Sequence, residues 1–124
     1  MKDDELMKKD FYYDKDYYYD PEIGDFQIYR KSSDKVSNNI FVGDFIISVT
    51  KEGEVVGLEI RDLVYRFEEA GIDPGIIKKM KEAELQVIKK IDCVFIAVDF
   101  IFEDNGRLLK MRMPITHFPL SELY

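Results

Sequence analysis

From Gly43 to Asp62 the chain reads GDFIISVTKEGEVVGLEIRD, with apolar residues at alternating positions on either side of a glycine-bearing turn. This pattern predicts a β-hairpin. Ile40 to Thr50 reads as its first strand, with Phe45, Ile47 and Val49 on one face. Glu54 to Ile60 reads as the return, with Val56, Leu58 and Ile60 on one face and Val55, Gly57 and Glu59 on the other. Gly53 supplies the positive φ required by the Lys51-Glu52-Gly53-Glu54 turn. Gly57, inside a strand, predicts a bulge or a close backbone approach.

Upstream, Phe11 to Asp20 is aromatic-rich and favours β-structure, although Asp14, Lys15 and Asp16 interrupt any long strand. Pro21-Glu22-Ile23-Gly24 punctuates as a turn. Asp25 to Arg30 alternates Phe26 and Ile28 against Gln27 and Tyr29, a strand pattern. Lys31 to Asn39 is polar and reads as a loop.

Downstream the period changes. Asp62 is placed to cap a helix running to about Ala70, with Gly71 as its stop and Leu63, Val64, Phe67 and Ala70 as its apolar stripe. Asp73-Pro74 opens a second short helix, with Ile76, Ile77 and Met80 facing inward. Alternation resumes at Glu84. Leu85 and Val87 share one face, and Val94, Ile96, Val98, Phe100 and Phe102 share another in a later register. The run to Glu103 is either one long strand bent near Lys89-Lys90 or two strands with a tight break. Asn105-Gly106 is the strongest hairpin-turn signal in the chain. Arg107 to Ile115 returns, with Pro114 ending regular pairing. The layout predicts a single α+β domain over residues 1–124, built from antiparallel hairpins with two short helices between them.

Composition narrows the function. The net charge of −7 and pI of about 4.7 argue against binding nucleic acid or an anionic membrane surface. They are compatible with a basic protein partner. The longest apolar run, Cys93 to Val98, is too short to span a bilayer, and the N-terminus is charged; a soluble, cytoplasmic protein is expected. The single cysteine, Cys93, excludes an internal disulfide and reads as a small buried core residue. High charge with only Gln27 and Gln86 as glutamines resembles the amide-poor bias of hyperthermophile proteins.

Motifs for chemistry are sparse. His117 is the only histidine, which with one cysteine excludes a His/Cys zinc site, and it reads as a structural residue. No phosphate-cradling glycine motif is present. Asp14, Asp16, Asp20 and Glu22 fail the calcium-loop pattern, because Tyr18 and Tyr19 stand where a ligand and a glycine belong. No metal, cofactor or catalytic residue is therefore assigned. The unusual feature is the aromatic cluster, from which Tyr12, Tyr13, Tyr17, Tyr18 and Tyr19 are interface candidates. Nine acidic side chains against five basic ones in the first 30 residues make that segment an acidic, tyrosine-rich face. It suits a basic partner; the competing reading has the tyrosines packing on the chain's own sheet.

Tyr13-Asp14-Lys15, the strand after it, and Gly43 to Ile60 with its Val55-Val56-Gly57-Leu58-Glu59-Ile60 core resemble a small prokaryotic domain family of unknown function. The match covers about residues 12–62. The resemblance carries no functional residues; it implies an antitoxin-like role as one option, with a toxin-like nuclease as the basic partner. Three function classes remain open: an interaction protein that self-associates or docks a partner, a small-molecule-binding or regulatory module, and a small enzyme without recognisable motifs. The first leads. A homodimer is expected, through β-edge pairing or an aromatic face near Tyr12 to Tyr19.

Overall fold

In the computed structural model, which describes residues 16–31 and 35–119, eight strands and two short helices follow one another in the predicted order. Strands β1 (Tyr17–Tyr19), β2 (Phe26–Tyr29), β3 (Val36–Val42), β4 (Phe45–Thr50) and β5 (Val55–Ile60) come first. Helix α1 (Leu63–Glu69) and a 3-10 helix (Pro74–Lys79) lead into β6 (Met80–Lys89), β7 (Cys93–Asp104) and β8 (Arg107–Pro119). The strands form a large sheet in the order β1-β2-β5-β4-β3 and a small sheet in the order β6-β7-β8. Every pairing is antiparallel. The chain is thus an α+β protein dominated by antiparallel sheet.

The large sheet corrects two sequence expectations. Ile40 to Thr50 is not one strand: Gly43, at φ 57°, and Asp44 turn the chain between β3 and β4. Val36 to Asn39, read as loop, belong to β3. As the edge strand β3 has exposed faces, so Ser37, Asn38 and Asn39 bury no polar group there. Asn39 instead accepts a hydrogen bond from the Ser48 hydroxyl at 2.9 Å. A bulge opposite Ser48 and Val49 brings Val55 into the core cluster beside Val49, so Val55, read on the face opposite Leu58, shares the core with it.

Helix α1 begins and ends where its caps dictate. The Asp62 carboxylate accepts from the Tyr65 backbone N–H at 3.1 Å. At the other end Ile72 N–H bonds to Phe67 C=O and Gly71 N–H to Glu68 C=O, the two bonds of a Schellman motif, with Gly71 at φ 77°. Asp73 caps the 3-10 helix through the Gly75 N–H at 2.9 Å. That helix passes directly into β6, which starts at Met80 rather than Glu84.

The run to Glu103 resolves as separate strands, with Lys90 N–H bonded to Cys93 C=O across the turn between β6 and β7. Asn105 and Gly106 both have positive φ, as the predicted turn requires. Pro114 does not end pairing. β8 continues to Pro119 because Ile115 is accommodated as an extra residue in a bulge, and an edge strand has room for proline. Cys93 is half-buried at the start of β7 and is not a core residue, because it shares the outer face with Phe95. Desolvation, with the Asp92 carboxylate, raises its thiol pKa and keeps it protonated.

The core is aromatic at its centre. Phe26 of β2, Phe67 of α1 and Phe100 and Phe102 of β7 are all fully buried. Their rings meet with centroids 5.4 Å apart for Phe26 and Phe100, 5.5 Å for Phe67 and Phe100, and 6.1 Å for Phe67 and Phe102. Inward positions of both sheets and the helix thus share one cluster.

Candidate functional site

Of the tyrosines singled out by sequence, Tyr12 and Tyr13 lie outside the described residues. Tyr17 is buried, stacked on Phe26 at 5.8 Å between centroids, and belongs to the core. Tyr19, two positions on, packs against the same cluster, while Tyr18 is half-buried. Burial, and secondarily Glu82, raises the Tyr17 pKa; burial and then Asp62 raise that of Tyr19. For Tyr17 and Tyr19 the geometry is that of side chains packing on their own sheet. The nearby carboxylates shape turns: Asp20 accepts from the Glu22 N–H at 2.9 Å and Asp25 from the Asp62 N–H at 3.4 Å.

A different surface stands out. The small sheet presents its inner face to the core through Leu85, Val94, Ile96, Val98, Phe100, Phe102, Met113 and Phe118. Its outer face is a regular grid set by the strand register. The first row across β6, β7 and β8 is Ile88, Phe95 and His117, and the second is Gln86, Ala97 and Pro114. The third is Glu84, Asp99 and Arg112, and the fourth is Glu82, Ile101 and Lys110. One end of the face is therefore apolar. The other carries acid along β6 and base along β8.

At the apolar end Phe95 is 39% exposed and Ile88 36%, and Ile91 in the adjoining turn is 96% exposed. The His117 ring lies against Phe95 with centroids 5.4 Å apart. Ile88, Phe95 and His117, with Ala97, Pro114 and Ile115, line an open groove of about 510 Å³ whose walls also carry Lys90 and Arg112. At the charged end the Asp99 carboxylate is buried although it points away from the core. Arg112 holds it with Nε at 2.7 Å and Nη2 at 3.0 Å. That hydrogen bonding, with help from Lys110 and Gln86, keeps the Asp99 carboxyl below its ordinary pKa despite desolvation.

A second, smaller hollow lies between α1 and β8, lined by Phe45, Arg66, Glu69, Met113 and Pro114. Its cation is engaged through both terminal nitrogens: Arg66 Nη2 bonds Asp44 at 2.7 Å and Nη1 bonds Glu69 at 3.4 Å, and the guanidinium sits 4.8 Å over the Phe45 ring, while the buried Nε has no hydrogen-bond partner among the described residues. That arrangement ties the helix to the large sheet and leaves little charge for an anion.

Sequence reading passed over the outer face of the small sheet, although a signal was present. The Cys93 to Val98 run is apolar on both alternations, and strands buried on both faces read that way. Among the described residues, no group of three or more His, Cys, Asp or Glu side chains is placed to hold a metal ion, and no helix is long and apolar enough to cross a membrane. No protein-family model, curated protein or solved structure matches this chain.

Proposed function

We propose that the chain is a noncatalytic protein-interaction module that presents the outer face of its small sheet to a protein surface. The observation that carries this reading is the two-sided apolar character of β7. Val94, Ile96 and Val98 fill the core, while Phe95 and Ala97 face the opposite way beside Ile88, Pro114 and His117. An antiparallel sheet with one solvated face ordinarily alternates apolar and polar. Clustered apolar side chains on an outer face mark a surface that another molecule covers. The acidic and basic columns beside the patch supply orientation and selectivity to such a contact.

His117 is the chain's only histidine and lies exposed in the first row, so it reports on this face alone. Its modification by diethyl pyrocarbonate is measured by mass spectrometry in dilute protein, in concentrated protein and in extract of the source cells. The expected result is slower labelling in concentrated protein, in extract, or in both. Equal labelling in all of them overturns the reading.

A further inference from the structure

We infer that the partner of this face is a second copy of the chain, docked about a two-fold axis that runs along β7. The inference rests on the interaction reading above and names its partner. It follows from the symmetry of the grid.

Two copies can stack this face on itself in two simple ways. If the axis crosses the strands at the middle of the face, so that the whole face is covered, the apolar rows of one copy meet the charged rows of the other. Phe95 then faces carboxylates and guanidinium groups, which loses their hydration without pairing them. If the axis runs along β7, every row meets itself and β6 of one copy lies over β8 of the other. The Ile88, Phe95 and His117 row then closes on its own image, burying the groove from both sides. In the same arrangement Glu84 of each copy comes opposite Arg112 of the other, and Glu82 comes opposite Lys110. Arg112 can serve both carboxylates, because it is half exposed beyond its bonds to Asp99. On the axis Asp99 of each copy meets its own image, each carboxylate already neutralised by its own Arg112; off the axis, apolar surface and charge are self-complementary under one operator, as an isologous interface requires. Strands also run in nearly the same direction across the contact, the aligned mode of sheet packing.

From its first row to its fourth the face spans about 20 Å along the strands and about 10 Å across from the axis of β6 to that of β8. A face this small buries far less than the roughly 1,600 Å² of a standard interface, so charge pairing has to carry the contact and only a weak, exchanging dimer is expected. The expected dissociation constant lies in the micromolar range, rising with salt as the paired columns are screened.

The test uses the full chain with charge reversals, followed by sedimentation equilibrium from about 1 to 500 μM. Glu82→Lys sets like charges opposite each other at both symmetry-related positions, and so does Lys110→Glu. Each variant alone is expected to dimerise about tenfold more weakly. Mixing the two restores opposite charges at both positions, so a heterodimer within about threefold of the original affinity is expected. Circular dichroism confirms that each variant remains folded. A chain that stays monomeric throughout overturns the inference, and so does a dimer indifferent to these reversals or a mixture that fails to recover. Failure here with His117 still shielded in extract leaves the interaction reading standing with a different partner. Failure together with unshielded His117 removes both.

Discussion

The ring of Tyr29 occupies the space that a side chain at Gly57 would need. The two residues face each other across β2 and β5, and a Cβ built at Gly57 would lie 3.1 Å from Tyr29 Cδ1 and 3.3 Å from Ser48 Cβ. The glycine is therefore a packing requirement rather than a backbone one. Gly57→Ala is expected to cost about 1–2 kcal/mol through overpacking. Tyr29→Ala should absorb part of that cost, giving a coupling on the order of 1 kcal/mol in a double-mutant cycle read by urea unfolding. Strictly additive effects would show that the ring swings aside freely.

Asp62 combines a left-handed backbone, at φ 57°, with a cap on the Tyr65 N–H. Replacement by alanine removes the cap and keeps a side chain where the backbone disfavours one, so Asp62→Ala should cost about 1–2 kcal/mol. Asp62→Gly loses the cap but relaxes the backbone, and should cost only a few tenths. Thermal melts of the pair check the order. A glycine variant as unstable as the alanine one would assign the whole effect to the carboxylate.

The buried Asp99 carboxylate makes acid stability depend on Arg112. Its folded pKa is depressed, so its contribution is fully present above the ordinary aspartate value of about 3.9 and is lost as pH falls through the lower folded value. Asp99→Asn should therefore be less stable than the parent at neutral pH, with the gap narrowing below about pH 4. Urea midpoints at neutral and strongly acid pH measure it. A gap that stays constant would mean the pH response arises elsewhere.

Local features were the legible part of this fold. Asp62, Gly71, Asp73 and Asn105-Gly106 mark element ends by their own chemistry, and the structure places them there. The inward row Val94, Ile96, Val98, Phe100 and Phe102 was legible because alternation along a strand is a local property. What escaped depended on partners distant in sequence. The polar start of β3 forms a strand because β4 offers it a ladder, and its own residues carry no strand signal. The pairing of β2 with β5 bypasses the β3-β4 hairpin, so nothing near Phe26 announces Ile60 opposite it. The candidate site escaped for the same reason. Glu82, Glu84, Lys110 and Arg112 look like scattered charges until the register with β7 sorts them into columns. The tyrosines drew notice by composition, whereas Tyr17 and Tyr19 turn toward the core because they share an alternation that faces it.

Phe67 is the side chain through which helix α1 meets the small sheet. It is fully buried, meets Phe100 and Phe102 edge-on, and lies one helical turn from the equally buried Leu63. Phe67→Ala removes the ring and leaves a cavity between elements that cannot all collapse onto it, at an expected cost of about 3–5 kcal/mol. Against the roughly 5–15 kcal/mol available to a small domain, that is enough to broaden or abolish cooperative unfolding near physiological temperature. Phe67→Leu keeps most of the apolar volume and should cost distinctly less. Chemical denaturation of the two variants checks both magnitude and order. A loss below about 1 kcal/mol for the alanine variant would mean that helix α1 is peripheral to the core and that the sheets hold together without it.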